Sequence, residues 1–583
     1  MKPAQFRNLP PLCVLKFGGS VLMTETDYRG AAIEVYRRIR AREKVIVIVS
    51  ALAGETDSLL TLAGPDACPA ISARLLRLGE YRSAALMGLM LSRVGVRVRV
   101  LDPHEIGLEA AGEPLDAQLC ALDESRLAEG LRNNDVLVIP GFTAGHACSG
   151  AATLGRGGAD LTAVFFASRT GAGRVRLIKD VDGVYTCDPA LEPDARRYEA
   201  LDYDRALEAS RGLIQPKAIE AARASGVTVE IAARGAARAT LVHNGPCVIG
   251  AARQTRRMRV ALLGCGSVGS GVLDHLRDYP DLFALNPVLV RNPSKHAGDR
   301  RAVFTDRLDI ALGDEPDLLI ELIGGVDEPA RLMKKALLSG VDVVTANKAA
   351  VAAHYDGLHG AALSGGAQLC YAASVGGGAP VLETVAGLKS AGIRAIEGVM
   401  NGTGNFILDQ LASGAAFDQA VSEAQRLGFA EADPRADVDG HDAADKLSVL
   451  IREAFGVSLP PGAIPKTPLS SVTPQIAVEA GMRGEVFKQI GRCELSPDGG
   501  VSARVNVEPV SANHPLAGAR NEENRFLIRT DDGKIHVVCG KGAGRWPTAA
   551  AVFADIMDIQ RMRACDGKGG ANASPDRICE VAE

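Results

Sequence analysis

Val260-Ala261-Leu262-Leu263-Gly264-Cys265-Gly266 and, near the start of the chain, Val14-Leu15-Lys16-Phe17-Gly18-Gly19 share one construction: a β-rich apolar run ending in a glycine loop. Each reads as the first strand of an α/β unit. After the earlier loop come strand-like runs at 45–49 (VIVIV), 97–101 (RVRVL) and 136–139 (VLVI), separated by Ala/Leu/Arg-rich segments with helical spacing such as 82–95. That alternation predicts an α/β fold with a parallel-rich sheet covered on both faces. The two glycine loops differ in spacing and in the chemistry of the residues after them, so they are no internal repeat. Around 235–257 the chain loses periodicity and turns basic before the second loop opens. Domains are therefore expected at 1–235, 257–390 and 391–564, with a linker at 236–256. A frayed tail rich in Gly, Asn, Ser and Asp is expected at 565–583.

At ~150 residues per domain, 583 residues suffice for about three to four domains. The 65 Lys and Arg against 70 Asp and Glu leave a net charge of −5, so neither nucleic acid nor an anionic membrane is expected as partner. The 12 cysteines include no CxxC pair, which argues against a zinc site or disulfide framework and fits a reducing cytoplasm. No apolar run reaches the ~18 residues needed to span a bilayer, and no signal-peptide core stands at the start. A cytoplasmic location is expected.

In the first half, Lys16 ends a strand and is followed by Gly18, Gly19 and Ser20. Backbone N–H groups there can approach a polyphosphate while the ammonium neutralises its charge; a snorkelling lysine beside a tight turn would read the same way. The phosphate reading gains support from Gly155-Arg156-Gly157-Gly158-Ala159-Asp160 and from the run Lys179 to Pro189, KDVDGVYTCDP. Together they supply cations for phosphates and carboxylates for Mg²⁺ or for orientation.

KFGG at 16–19, VSALAGETD at 49–57, GE at 79–80, LGRGGAD at 154–160, KDVDGVYTCDP at 179–189 and QPKA at 215–218 resemble, in this order, the catalytic domain of aspartate kinase within the amino-acid kinase fold. The resemblance covers about 15–235. It implies ATP and Mg²⁺, with Lys16 and Lys217 stabilising the transferring phosphoryl group and Asp160 orienting the lysines. It places aspartate on Thr56, Glu80 and Arg156, and the nucleotide near Gly18, Gly19, Asp180, Asp182 and Tyr185. Four positions depart from the pattern. The first loop is one residue shorter than the usual KFGG-Thr-Ser-Val, and Ala159 replaces a substrate-contacting serine. Lys179 stands where a threonine usually precedes Asp-Val-Asp, and Ala190 where arginine is common. Loss of one hydrogen bond to a charged substrate costs ~1.5–3 kcal/mol, enough to weaken aspartate binding or to signal another acceptor. Lys179 reads either as a compensating cation or as a solvated loop lysine.

In the second half, Gly264, Gly266 and Gly269 form a GxGxxG that includes Ser267 and Val268, follows a strand at 259–263 and opens a helix at 268–277. This is the strand–turn–helix setting of a dinucleotide site. The next strand, 287–290, ends in Arg291, 22 residues after Gly269, where an NAD site usually carries an acid. With Lys295 close behind, the reading is NADP(H), NAD(H) remaining open, as does a plain surface charge for Arg291.

ELIGG at 321–325, TANK at 345–348, VGGGAP at 375–380, NGTGN at 401–405 and the run from Ala424 through EADP at 431–434 to Asp437, Asp442 and Lys446 closely resemble homoserine dehydrogenase over about 257–562. Reducing an aldehyde needs a hydride and a proton for the developing alkoxide, and a lysine can supply the proton. Asp442 and Lys446, four apart, share a helix face; as an isolated pair they would read as an exposed salt bridge. The resemblance implies Lys446 as acid, Lys348 near the carbonyl, and Glu431 and Asp437 as the carboxylates holding the substrate's amino group. It also implies a homodimer and a monovalent cation on carbonyls near Val375, Gly377 and Ala379, although Ala372 stands where its glutamate ligand would be. His441 reads as a packed or hydrogen-bonded side chain rather than a metal ligand, Cys265 as a small filler. HPLA at 514–517 and GAGRWPTA at 542–549 belong to the same resemblance, the latter returning towards the cofactor.

Aspartate kinases and fused kinase–dehydrogenases carry paired ACT domains, yet only about 20 residues separate the halves and about 20 come after the second. A bifunctional aspartate kinase–homoserine dehydrogenase without ACT feedback is expected. The alternative is a monofunctional dehydrogenase joined to a sensor or altered-acceptor module.

Overall fold

A computed structural model describes residues 3–189, 191–192, 194–210, 212–252, 256–313, 315–427, 429–430 and 433–566. Glu431, Ala190 and the tail beyond 566 lie outside the described residues. The chain divides into two compact units, Met1–Arg256 and Arg257–Glu583.

The first unit is built on a nine-stranded sheet: β1 (Leu12–Phe17), β2 (Lys44–Val49), β3 (Val98–Val100), β4 (Val136–Pro140), β5 (Arg174–Lys179), β6 (Arg196–Leu201), β7 (Thr228–Ala233), β8 (Thr240–Val242) and β9 (Val248–Ala252), in the spatial order 9-6-8-7-5-1-2-4-3. The segment 1–5–7 on one side and 1–2–4–3 on the other is wholly parallel. Only β8 against β7 and β9 against β6 run antiparallel. All six residues of β1 are buried, as befits the middle of a parallel sheet covered on both faces. Helices α1 (Asp27–Arg40), α2 (Glu55–Ala63), α3 (Pro69–Arg93), α4 (Gly158–Thr170) and α5 (Pro216–Ser225) accompany it. The 236–256 stretch, expected as a linker, instead holds β8 and β9. Strands of three and five residues around the turn 243–247 are too short to show periodicity, and only their pairing with β6 and β7 fixes them.

The second unit opens on a parallel sheet of β10 (Met258–Leu263), β11 (Phe283–Leu285), β12 (Val288–Leu289), β13 (Phe304–Thr305), β14 (Leu318–Glu321), β15 (Asp342–Thr345) and β16 (Leu369–Cys370). The order is 13-12-10-14-15-16, with β11 also on β10. The order reverses at β10, and α6 (Ser267–Arg277) starts there; ligands of doubly wound sheets lie beyond strand ends at such switch points. Helix α7 (Lys348–Gly365) comes after β15. An antiparallel sheet is next, of β17 (Ile393–Val399), β18 (Glu485–Leu495), β19 (Val501–Ser511), β20 (Glu523–Thr530) and β21 (Ile535–Lys541), ordered 19-18-17-20-21. Helices α8 (Gly402–Ala412) and α9 (His441–Phe455) pack on it, and α10 (Arg545–Asp566) returns to lie on α6. The fold is α/β throughout its first unit and dinucleotide body, and α+β in the body built on the antiparallel sheet.

Candidate active sites

In the first unit the functional side chains gather where β1 and β5 end. Lys16 lies opposite Leu177 on the neighbouring parallel strand, so Lys179, two residues on, projects to the same face. Asp160, in the first turn of α4, meets both: Oδ1 is 2.6 Å from Lys16 Nζ and Oδ2 accepts from Lys179 Nζ at 3.0 Å. Burial alone would raise the Asp160 carboxyl; the two ammonium groups outweigh it and hold it below the usual carboxylate range. Lys179 is buried on a strand, which removes the loop-lysine reading.

A cavity of about 420 Å³ opens here, lined by Lys16, Lys179 and Asp160 together with Thr56, Glu80, Arg156, Ala159 and the glycine turn 155–158. Arg156 is exposed and Thr56 half-buried. Glu80 is buried, accepts a bond from the Ala51 N–H at 3.3 Å, and is pushed by burial up to about 7. Lys217 sits at the rim, paired with Asp116 and donating to the Leu154 carbonyl at 3.4 Å; Asp116 belongs to no motif of the sequence, and only the fold brings it here. Gly18 lies under the Lys16 ammonium, where a Cβ would stand 2.7 Å from Nζ. Tyr185 donates to Asp182 at 2.8 Å, Asp182 faces Arg197 at 3.7 Å, and Asp180 is exposed. The lining carries three cations, the carboxyl groups of Asp57, Glu80 and Asp160, and a helix N-terminus, a set of groups that fits a phosphorylated ligand.

In the second unit the dinucleotide loop shows why its glycines are needed. Gly264 has φ +100°, and a Cβ there would meet the Leu322 carbonyl oxygen at 2.4 Å. At Gly269 a Cβ would stand 2.1 Å from the Gly264 oxygen, whereas at Gly266 it would meet nothing within 4 Å. The turn is tight at Gly264, closely packed at Gly269 and open at Gly266, where the backbone of Ser267 and Val268 begins α6 without a side-chain cap. These residues fit a dinucleotide's pyrophosphate. Arg291 and Lys295 are both exposed just past β12. On the neighbouring strand end, Glu321 accepts from Thr345 Oγ1 at 2.6 Å and from the Ile323 N–H at 2.9 Å, and Thr345 in turn accepts from the Asn347 N–H at 2.9 Å. This buried network shapes the turn that delivers Lys348 to the start of α7.

Asp442 is the hub of the catalytic body. Its Oδ2 accepts from Lys446 Nζ at 2.8 Å and from Asn401 Nδ2 at 2.8 Å, and its Oδ1 is 2.6 Å from Lys348 Nζ. Lys446 also donates to the Met400 carbonyl at 2.7 Å. The pair is buried, with the Lys446 side chain 10% and the Asp442 side chain 6% exposed, so it is no surface salt bridge. Burial would raise the Asp442 carboxyl, but Lys446 and Lys348 hold it far below its ordinary value. Lys348, which burial would depress, is raised by Asp442. Asn401 caps α8 and also donates to Asp437 at 2.6 Å; Asp437 is nonetheless raised, by burial and by the Asp442 charge. The NGTGN motif marks the Asn401 loop in the sequence, but only the fold shows that it bridges two carboxylates.

Two turns along, Glu453 on α9 accepts from Tyr355 on α7 at 2.5 Å and from Tyr371, which also bonds His359 at 2.9 Å. These groups tie α7 to α9 beyond a kink at His354, fixing Lys348 against Asp442. Val375, in the short helix Ala372–Gly376, and Gly377 and Ala379 in the turn after it are all buried; the turn is held to β21, where the Gly378 N–H donates to the Lys541 carbonyl at 2.8 Å. Among the described residues no cluster of three His, Cys, Asp or Glu side chains is placed to hold a metal ion. Trp546 begins α10, under the Arg545 guanidinium at 4.7 Å and edge-on to His275 of α6 at 6.3 Å.

Fold and site together define an α/β unit whose cavity fits a phosphorylated ligand, followed by a unit built as a dinucleotide-dependent oxidoreductase. The model of the amino acid kinase family matches 11–233, that of the homoserine dehydrogenase NAD-binding domain 264–372, and that of homoserine dehydrogenase 380–557. Homoserine dehydrogenase of Corynebacterium glutamicum is 34% identical over 325 residues, 53% of this chain and 73% of that protein. The Bacillus subtilis homoserine dehydrogenase is 32% identical over 335 residues, 55% of this chain and 77% of its own. A crystal structure of a homoserine dehydrogenase from Thiobacillus denitrificans, 32% identical, covers 56% of this chain and 79% of that one with a TM-score of 0.52. The chain belongs to the homoserine dehydrogenase family and carries an amino acid kinase domain ahead of it.

Proposed function

We propose that the second unit reduces aspartate 4-semialdehyde to homoserine with NADP(H) and that the first phosphorylates aspartate with ATP, making the chain a bifunctional aspartate kinase–homoserine dehydrogenase. The observation that carries the reading is the Asp442 carboxylate shared by Lys446 and Lys348. An ammonium has three N–H donors; described residues take two of Lys446's, Asp442 and Met400. The third faces the substrate oxygen and delivers its proton as the alkoxide forms. Asp442 holds the ammonium in direction, Lys348 adds positive charge beside the developing oxyanion, and Asp437, with Glu431, holds the substrate's amino group. Bound reduced nicotinamide supplies the hydride. Arg291 and Lys295 receive the 2′-phosphate. Assembly as a homodimer through this unit and a cytoplasmic setting accompany the reading.

In the first unit Lys16, Lys217 and the α4 N-terminus hold the phosphates, Arg156 clamps the acceptor's α-carboxylate, and Glu80 and Thr56 hold its other polar groups; Mg²⁺ enters with the nucleotide. Ala159, buried in the cavity lining where a hydroxyl would contact aspartate, favours a second reading, transfer to a different carboxylate. Aspartate-dependent ADP release by full-length protein, with NADPH-linked reduction assayed on the same preparation, tests both. Lys16→Ala should abolish only the first activity. Lys446→Met should cut the second about 10²–10³-fold. Reduction without aspartate phosphorylation would leave the altered-acceptor or sensor reading for the first unit.

A further inference from the structure

The buried groups of the first unit's cavity carry more positive charge than negative, while at its exposed mouth Asp57 stands against Arg156. Lys16 and Lys179 both line it, with side chains 7% and 10% exposed, and Asp160 forms an ion pair with one through each oxygen. One carboxylate between two buried ammonium groups leaves about one unit of charge uncompensated. Glu80, the other buried acid of the lining, is pushed up to about 7 and carries only part of a charge at neutral pH. A buried excess cation is costly unless an anion joins it. Lys179 bears this out: burial first, and Lys16 beside it second, pull its pKa down despite Asp160. Arg156 and the first turn of α4 add to the same field.

We propose that Lys179 is a second phosphoryl-binding lysine, which together with Lys16, the two held apart by Asp160, contacts the oxygens of the group being transferred. The proposal rests on reading the first unit as a phosphotransferase but is independent of the acceptor. In the transfer, the bond from the γ-phosphorus to the β,γ-bridging oxygen breaks and its electron pair stays on ADP. A bond forms to an acceptor carboxylate oxygen, and no proton is gained or lost. Negative charge spreads over the three equatorial oxygens midway, and two fixed ammonium groups on one face of the sheet match that distribution better than one. Asp160 keeps them from repelling each other out of register before the phosphate arrives.

The test is Lys179→Met, with Lys179→Arg beside it, in the full-length chain. Removing Lys179 leaves Asp160 paired to Lys16, so the melting temperature should stay near that of the parent. Lys179→Met should lower the kcat of aspartate-dependent ADP release about 100-fold, and Lys179→Arg should retain activity within about tenfold. A kcat within about threefold of the parent in Lys179→Met overturns the proposal. If the parent releases no ADP with aspartate, the acceptor assignment fails and titration with a nonhydrolysable ATP analogue decides. At least tenfold weaker binding by Lys179→Met then supports the proposal; equal affinity, or no binding by the parent, overturns it. Should Lys179→Met not fold, Lys179→Gln is read by the same criteria.

Discussion

Glu80 and Arg291 carry the sharpest single-residue tests. Burial raises the Glu80 carboxyl from 4.5 to about 7, so between those values the folded chain binds more protons than the unfolded one and stability falls as pH rises. Glu80→Gln should therefore raise the melting temperature at pH 8 and change it little at pH 4, by thermal denaturation across that range. The same carboxylate must be ionised to hold an ammonium, so the KM for aspartate should fall as pH rises from 6 to 8, a trend absent in Glu80→Gln. Arg291→Asp should raise the KM for NADPH about tenfold or more and spare NADH; an unchanged NADPH KM would make Arg291 a surface charge. At this scale the sequence made the charged residues visible by their motifs. Some partners were visible too, Asp160 for Lys16 and Asp442 for Lys446, but Lys217's was not: Asp116 lies 101 positions from it, and no local pattern spans that gap. Lys179 was half-legible, because strand parity alone would have set it on the Lys16 face had the register of β1 and β5 been known.

Single elements set the geometry of the reducing site. Asn401 caps α8 with its side-chain oxygen, donated to by the Gly404 N–H at 2.6 Å, and its amide nitrogen reaches Asp442 and Asp437. Asn401→Ala should cost ~1 kcal/mol through the lost cap and more through two carboxylates left short of a donor. It should lower the midpoint of urea denaturation together with kcat; loss of stability with full activity would show that Asn401 only caps. The helices and strands that matter were readable where they are long or come after a glycine loop: β10, α6 and the Asp442–Lys446 spacing on α9. Strands β8 and β9 were not, since three to five residues beside a turn carry no periodicity. The clamp of Tyr355, Tyr371 and Glu453 was likewise hidden, although Lys348 and Tyr355 are seven apart on α7, and Lys446 and Glu453 seven apart on α9. Two helices that present the same spacing to each other can be locked twice, once by the reacting groups and once by a spectator set.

For the whole molecule, β9 ends at Ala252 and β10 begins at Met258, so no regulatory body stands between the two units. Neither millimolar threonine nor millimolar lysine should change either rate by more than about twofold, and strong inhibition by either would reveal an effector site elsewhere. The length made a multi-domain chain legible, the alternation of strand-like and helical runs its α/β class, and the order of motifs its two halves; where one unit ends became clear only from pairing. That late pairing has a consequence during synthesis. The nine-stranded sheet is incomplete until its edge strand β9 has left the ribosome, because β6 waits for both β8 and β9. At 5–20 residues per second, residues 257–583 then take tens of seconds more to emerge. A nascent chain therefore carries a finished first unit while the second is still being made, and a ribosome stalled early in the second half would already display the folded Lys16–Asp160–Lys179 cavity.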